Sequence, residues 1–84
     1  MWFVYILLCS DNSYYIGISN NVQRRFIQHQ NGKGGAYTRS HRPIKIVYQE
    51  QYLDKSTALK RESQLKKLTK TEKNNLIKKV WLKK

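Results

Sequence analysis

Five side chains in this sequence carry groups that could act together on one phosphodiester: Tyr5, Tyr15, Arg25, His29 and Glu62. Hydrolysing that bond requires an activated water, positive charge on the nonbridging oxygens and stabilisation of the leaving alkoxide. Glu62 could hold a divalent cation for the first or last of these tasks, because one carboxylate plus waters and substrate phosphate can hold Mg²⁺. Arg25 suits the phosphoryl oxygens, since a guanidinium is planar, charged and able to bind in bidentate fashion. The phenols of Tyr5 and Tyr15 can hydrogen-bond the water or assist its deprotonation. Each residue also has a plainer reading. A strand tyrosine is often packing, an arginine in a basic chain can be surface charge, and a lone histidine is usually structural. Glu62 could simply balance Arg61 or Lys66. Cys9, His29 and His41 lack the spacing of a compact zinc site.

The elements that must position these groups follow from periodicity. The run Trp2–Cys9 is almost wholly apolar, which suits a strand buried on both faces. Ser10-Asp11-Asn12-Ser13 supplies a turn, and residues 14–18 return as a second strand. Alternation puts Tyr15 and Gly17 on one face, with Tyr14, Ile16 and Ile18 on the other. Asn20 then reads as an N-cap with Gln23 as its capping-box partner, opening a helix over residues 21–30 that Asn31-Gly32 ends. Val22 and Phe26 form its apolar stripe. Arg25 and His29, also four apart, border that stripe and point toward the rim of the sheet.

Residues 32–43 read as a loop with three glycines, Lys33, Arg39, His41 and Arg42, and Tyr37 among them. Such a segment suits a phosphate backbone and an unstacked base, or is simply a solvated connection. A third strand over residues 44–52 alternates through Ile44, Ile46, Tyr48 and Glu50. Asp54 or Ser56 caps a helix to residue 68 with Ala58, Leu59, Leu65 and Leu68 as its apolar positions. Glu62 falls on that inward stripe amid Lys60, Arg61, Lys66 and Lys67. Thr69 or Thr71 caps a last helix, residues 72–82, carrying Leu76, Ile77, Val80 and Trp81, and Lys83-Lys84 is expected to fray. The order β-β-α-β-α-α predicts an α+β fold. A small three-stranded antiparallel sheet with the first strand central is flanked by three helices.

Composition narrows the function. At 84 residues the chain is expected to form one domain over 1–84. Cys9 is the lone cysteine, so no internal disulfide forms and a reducing, cytoplasmic setting is expected. The apolar start lacks a basic leader and a cleavage site, and no run approaches the roughly 20 apolar residues of a membrane span. A net charge of +12 with a pI near 10.1 points to a polyanionic partner. No strongly apolar helix face accompanies the basic one, which argues against a membrane surface. Binding to RNA, as by a ribosome-associated protein, remains a rival.

Phe3-Val4-Tyr5 and Tyr15-Ile16-Gly17 resemble the paired signatures of the GIY-YIG nuclease superfamily. The similarity continues through Ser19-Asn20-Asn21-Val22 to Arg25 and His29, then to Gly32-Lys33-Gly34-Gly35-Ala36-Tyr37-Thr38 and Arg61-Glu62. It covers nearly the whole chain and is nearest to the small single-domain branch. Phe3 stands where the family has its first glycine, a departure that removes no reactive group. The resemblance implies a DNA-binding endonuclease in which Glu62 binds a single Mg²⁺ or Mn²⁺ and Arg25 stabilises the attacked phosphate. Tyr5 and Tyr15 would position or activate water, and His29 would serve as a supporting acid or base. Lys33, Tyr37, Arg39 and Arg42 would bind the nucleic acid. Asn74 or Asn75 could fill the place of the asparagine that many members carry after the metal glutamate. The glycine-rich loop resembles that of members that cut branched or flapped DNA, a DNA-repair setting. Those usually carry a further targeting domain, so either a protein partner for targeting or a weak, nonspecific activity is expected here. The alternative is a non-catalytic DNA- or RNA-binding module of the same fold.

Overall fold

Strand β1 (Trp2–Cys9) lies at the centre of the sheet because both of its faces are apolar and both must be covered. The structure is a computed structural model describing the backbone of residues 1–82 and the side chains of residues 1–79. Strand β2 (Tyr14–Ser19) pairs antiparallel with one edge of β1, and β3 (Pro43–Tyr52) with the other, giving the order β2-β1-β3. Val4 and Ile6 point to one face, against Ala58 and Leu65 of α3 (Lys55–Lys66) and Ile77 of α4 (Lys70–Leu82). Tyr5 and Leu7 point to the other, against Val22 and Phe26 of α1 (Val22–Gln30). The expected α+β architecture is therefore present. Among the described residues no helix is long and apolar enough to cross a membrane.

Several details differ from the sequence reading. A fourth helix, α2 (Ala36–Ser40), lies inside the expected loop and follows Gly35, whose φ of 127° turns the chain into it. The cap of α1 is Asn21 rather than Asn20: its side chain accepts from the Arg24 N–H at 3.1 Å, while the Ser19 hydroxyl holds the Asn21 backbone. No Gln23 capping box forms. Alternation along β3 fails at Val47, because Ile6 pairs with Tyr48 but Leu7 with Ile46. This bulge turns Ile46 toward α1 and Tyr48 toward α3, and a second irregularity leaves Ile44 exposed. Leu59 is also exposed rather than part of the α3 stripe.

Other local signals hold. Asp54 caps α3 through the Thr57 N–H at 2.7 Å. Thr69 and Glu72 form a reciprocal capping box at the start of α4. Side chains read for Val80 and Trp81, and the Lys83-Lys84 tail, lie outside the described residues.

Candidate active site

Antiparallel pairing sets Tyr5 directly opposite Gly17. A Cβ at Gly17 would stand 2.6 Å from the Tyr5 Oη and 2.8 Å from its Cζ, so only glycine leaves room for the phenol. Tyr15, two residues before Gly17 on the same face, has its ring centroid 6.4 Å from that of Tyr5. The two phenols expected to lie near one another do so.

His29 is not at the rim. It follows Val22 by two helical turns on the buried face of α1 and is fully buried. Its Nε2 lies 2.9 Å from the Tyr5 Oη and its Nδ1 2.8 Å from the Thr38 Oγ1 on α2. Thr38 Oγ1 also reaches the Gly35 carbonyl at 3.5 Å. A Thr38 hydroxyl donating there accepts from Nδ1–H, which leaves Nε2 to accept the Tyr5 O–H. Gly34 lies directly over the imidazole: a Cβ there would come within 1.9 Å of Nδ1. Neither Gly34 nor Thr38 stands out as functional in the sequence. The signals were their place in a glycine-rich loop and in the stretch that resembles the family, and neither gives a role, because their partner lies on α1.

Burial is the main cause that pushes the Tyr5 phenol up to about 12, with the Tyr15 ring next; Arg25 opposes the shift and Glu62 adds to it. Burial first, then the Arg25 guanidinium, lowers His29 to about 4. Both groups are therefore neutral near pH 7. Arg25 is half-buried, donating to the Gln28 side chain at 3.0 Å and to the Gly34 carbonyl at 3.2 Å.

Glu62 is partly buried on α3, as the helical spacing predicts, with 18% of its side chain exposed. Lys66 Nζ lies 3.6 Å away, one turn on. Arg61 takes a different partner: it grips Glu50 with two bonds of 2.9 and 3.0 Å, while Tyr48 and Tyr52 donate to the same carboxylate. That clamp fastens α3 to β3 and leaves Glu62 free of Arg61. Among the described residues no three His, Cys, Asp or Glu side chains cluster as a metal site. A divalent cation here would have Glu62 as its one protein carboxylate, which fits the way Mg²⁺ is held by one or two carboxylates, waters and substrate phosphate.

Tyr37 leaves its loop to stack on Tyr15, with centroids 5.9 Å apart, and is held by an O–H bond of 2.8 Å to Ser13 and by the His41 ring at 4.1 Å. Lys33, Arg39 and Arg42 are exposed on the same stretch and do not join the buried cluster. Asn74 accepts from the Tyr14 hydroxyl, and Asn75 is exposed.

The family described as the GIY-YIG catalytic domain matches residues 1–75. This chain belongs to the GIY-YIG family. Within it, the chain is similar to a UPF0213 protein of Staphylococcus epidermidis, 49% identical over 75 residues that cover 89% of this chain and 92% of that one. A UPF0213 protein of Desulfotalea psychrophila is 47% identical over 78 residues, covering 92% of this chain and 71% of the relative. The solution NMR structure of a UPF0213 protein from Bacillus halodurans superposes with a TM-score of 0.59 at 37% identity, covering 93% of this chain and 84% of the other. Membership in the GIY-YIG family makes this a nuclease-type domain, and GIY-YIG nucleases generally depend on a divalent metal.

Proposed function

We propose that this domain is a DNA endonuclease that hydrolyses a phosphodiester, with Glu62 carrying one Mg²⁺ or Mn²⁺. One observation supports this reading most: a buried Tyr5–His29–Thr38 chain ends at a phenol whose ring lies beside that of Tyr15 on the neighbouring strand. A bound cation would supply positive charge at the phosphate and the leaving oxygen. Arg25 holds the nonbridging oxygens. Tyr5 accepts a hydrogen from the attacking water while its own passes toward His29 Nε2, and Tyr15 orients that water. His29, buried and neutral at rest, holds the Tyr5 hydroxyl and takes up that hydrogen as the supporting base. Lys33, Tyr37, Arg39 and Arg42 hold flanking DNA, and resemblance of the loop 32–38 makes branched or flapped DNA the preferred form. A cytoplasmic setting and a targeting partner belong to the same proposal.

The Lys66–Glu62 contact favours a second reading, a nucleic-acid-binding module that does not cut, because the ammonium already balances the carboxylate. Labelled linear, flapped, forked and four-way DNA, incubated with Mg²⁺, Mn²⁺ or chelator, separates the two. Metal-dependent cutting, lost in Glu62→Gln while DNA binding persists, supports the nuclease. Binding without cutting by the wild type supports the module, and normal cutting by a folded Glu62→Gln protein would sink the metal assignment.

A further inference from the structure

Beside the tyrosine pair the surface forms a groove of about 240 Å³ lined by Tyr14, Tyr15, Ile16, Tyr37, Lys66 and Lys73. Tyr15 points to one face of β2 and Tyr14 and Ile16 to the other, so the groove wraps the free edge of that strand. Its aromatic walls are fixed before any ligand arrives. Tyr14 donates to Asn74 and has the Lys70 ammonium 5.7 Å from its ring centroid. Tyr37 is held by Ser13 and His41 and keeps 39% of its surface exposed. No carboxylate lines the groove, and Lys73 makes no ion pair with another described residue.

Aromatic side chains with two ammonium groups, of which Lys66 has the Glu62 carboxylate 3.6 Å away and Lys73 has no ion-pair partner among the described residues, suit a flat aromatic ligand that carries negative charge. A nucleotide has that chemistry, since any base stacks on an aromatic ring and its phosphate pairs with lysine. The bases of a duplex are paired and stacked on one another, so none is free to enter the groove. The volume lies just under the roughly 300 Å³ at which pockets begin to take drug-sized molecules, which suits one residue of a strand rather than several. We propose that this groove binds a single unpaired nucleotide of the DNA strand, its base against the open side of the Tyr15–Tyr37 stack and its phosphate on Lys73, with Lys66 shared between the phosphate and Glu62. The proposal rests on the reading of the chain as acting on DNA and deepens it. Tyr15 belongs to both the groove and the candidate active site, so the unpaired nucleotide neighbours the phosphate to be cut. The Lys66 ammonium reaches Glu62 as well as the groove, which links the two from the other side.

The test uses the isotope-labelled full chain with chelator present, so that nothing is cut, and reads NMR shifts. Deoxythymidine monophosphate, thymidine, inorganic phosphate, a single-stranded thymidine octamer and a blunt duplex are titrated separately. The ring resonances of Tyr14, Tyr15 and Tyr37 should move with the monophosphate and the octamer but not with the duplex. Thymidine and phosphate alone should bind more weakly than the monophosphate, and Lys73→Gln should weaken monophosphate binding roughly tenfold, the scale of one charged hydrogen bond. Tyrosine rings that respond to neither the monophosphate nor the octamer overturn the proposal. So do an equal response to duplex and single strand, or shifts confined to Lys33, Arg39 and Arg42. Cleavage is not read, so the two readings fail separately. Ring shifts in a protein that never cuts DNA would leave the groove standing and sink the nuclease. Cutting by a protein whose rings stay silent would do the reverse.

Discussion

Replacing Gly17 with alanine tests how tightly the candidate site is built, and the size of the effect follows from three distances. The new methyl would stand 2.6 Å from the Tyr5 Oη, 2.8 Å from its Cζ and 3.1 Å from the Tyr15 Cε2. Tyr5 is 1% exposed and its hydroxyl is already bonded to His29, so the ring has nowhere to retreat. Overpacking of this kind costs about 1–3 kcal/mol. In a domain of this size that lowers the melting temperature on the order of 5–20 °C. A thermal-melt cycle of Gly17→Ala, Tyr5→Phe and the double variant isolates the contact. Removing the Oη relieves the shortest approach, so the double variant should be less destabilised than the sum of the singles, by about 0.5–3 kcal/mol. A wild-type melt for Gly17→Ala, or strict additivity in the cycle, would refute the reasoning. The expected result would make this glycine the space that lets a buried phenol face its histidine, a steric role in a signature whose two tyrosines carry the candidate chemistry.

Three further outcomes follow from the same geometry. His29 has a folded value of about 4 against an ordinary 6.5, so between those pH values the unfolded chain binds a proton that the folded one does not. Stability should therefore fall as pH drops through that window, by an amount on the order of 3 kcal/mol, and the His29 ring should stay neutral by NMR down to about pH 5; a titration near 6.5 would contradict its burial. Tyr5→Phe should fold and bind DNA yet cut roughly 10²-fold more slowly, the scale of a positioned proton-transfer group, and an unchanged rate in a cleavage assay would return Tyr5 to the core. Six cations, Lys33, Arg39, Arg42, Lys66, Lys70 and Lys73, lie on the loop 32–43 and on the α3–α4 side beside the groove. If each meets one phosphate, DNA binding should weaken on the order of 10³-fold between about 50 and 200 mM salt, and a dissociation constant insensitive to salt would exclude that electrostatic mode.

Much of this protein is decided locally and can be read without a structure. A run apolar on both faces can be satisfied only at the centre of a sheet, and β1 is there. Asp54 and Thr69 cap helices because their partners lie three residues away, and period-two spacing places Tyr15 and Gly17 together because a strand permits nothing else. The partnerships that make the site are of another kind. His29 meets Tyr5 across 24 residues, and Tyr37 meets Tyr15 across a helix and a loop, so no periodicity relates them. Arg61 chooses Glu50 over the adjacent Glu62 because a bulge at Val47 sets which way β3 presents Tyr48 and, with it, Glu50. Sequence spacing determined the elements other than α2 and, the β3 bulge apart, the side chains each could present. Only the packing of those elements decided that the histidine is buried and neutral rather than exposed at the rim, because burial is a property of what closes over a residue, and Gly34 and Thr38 do so from a distant turn of the chain.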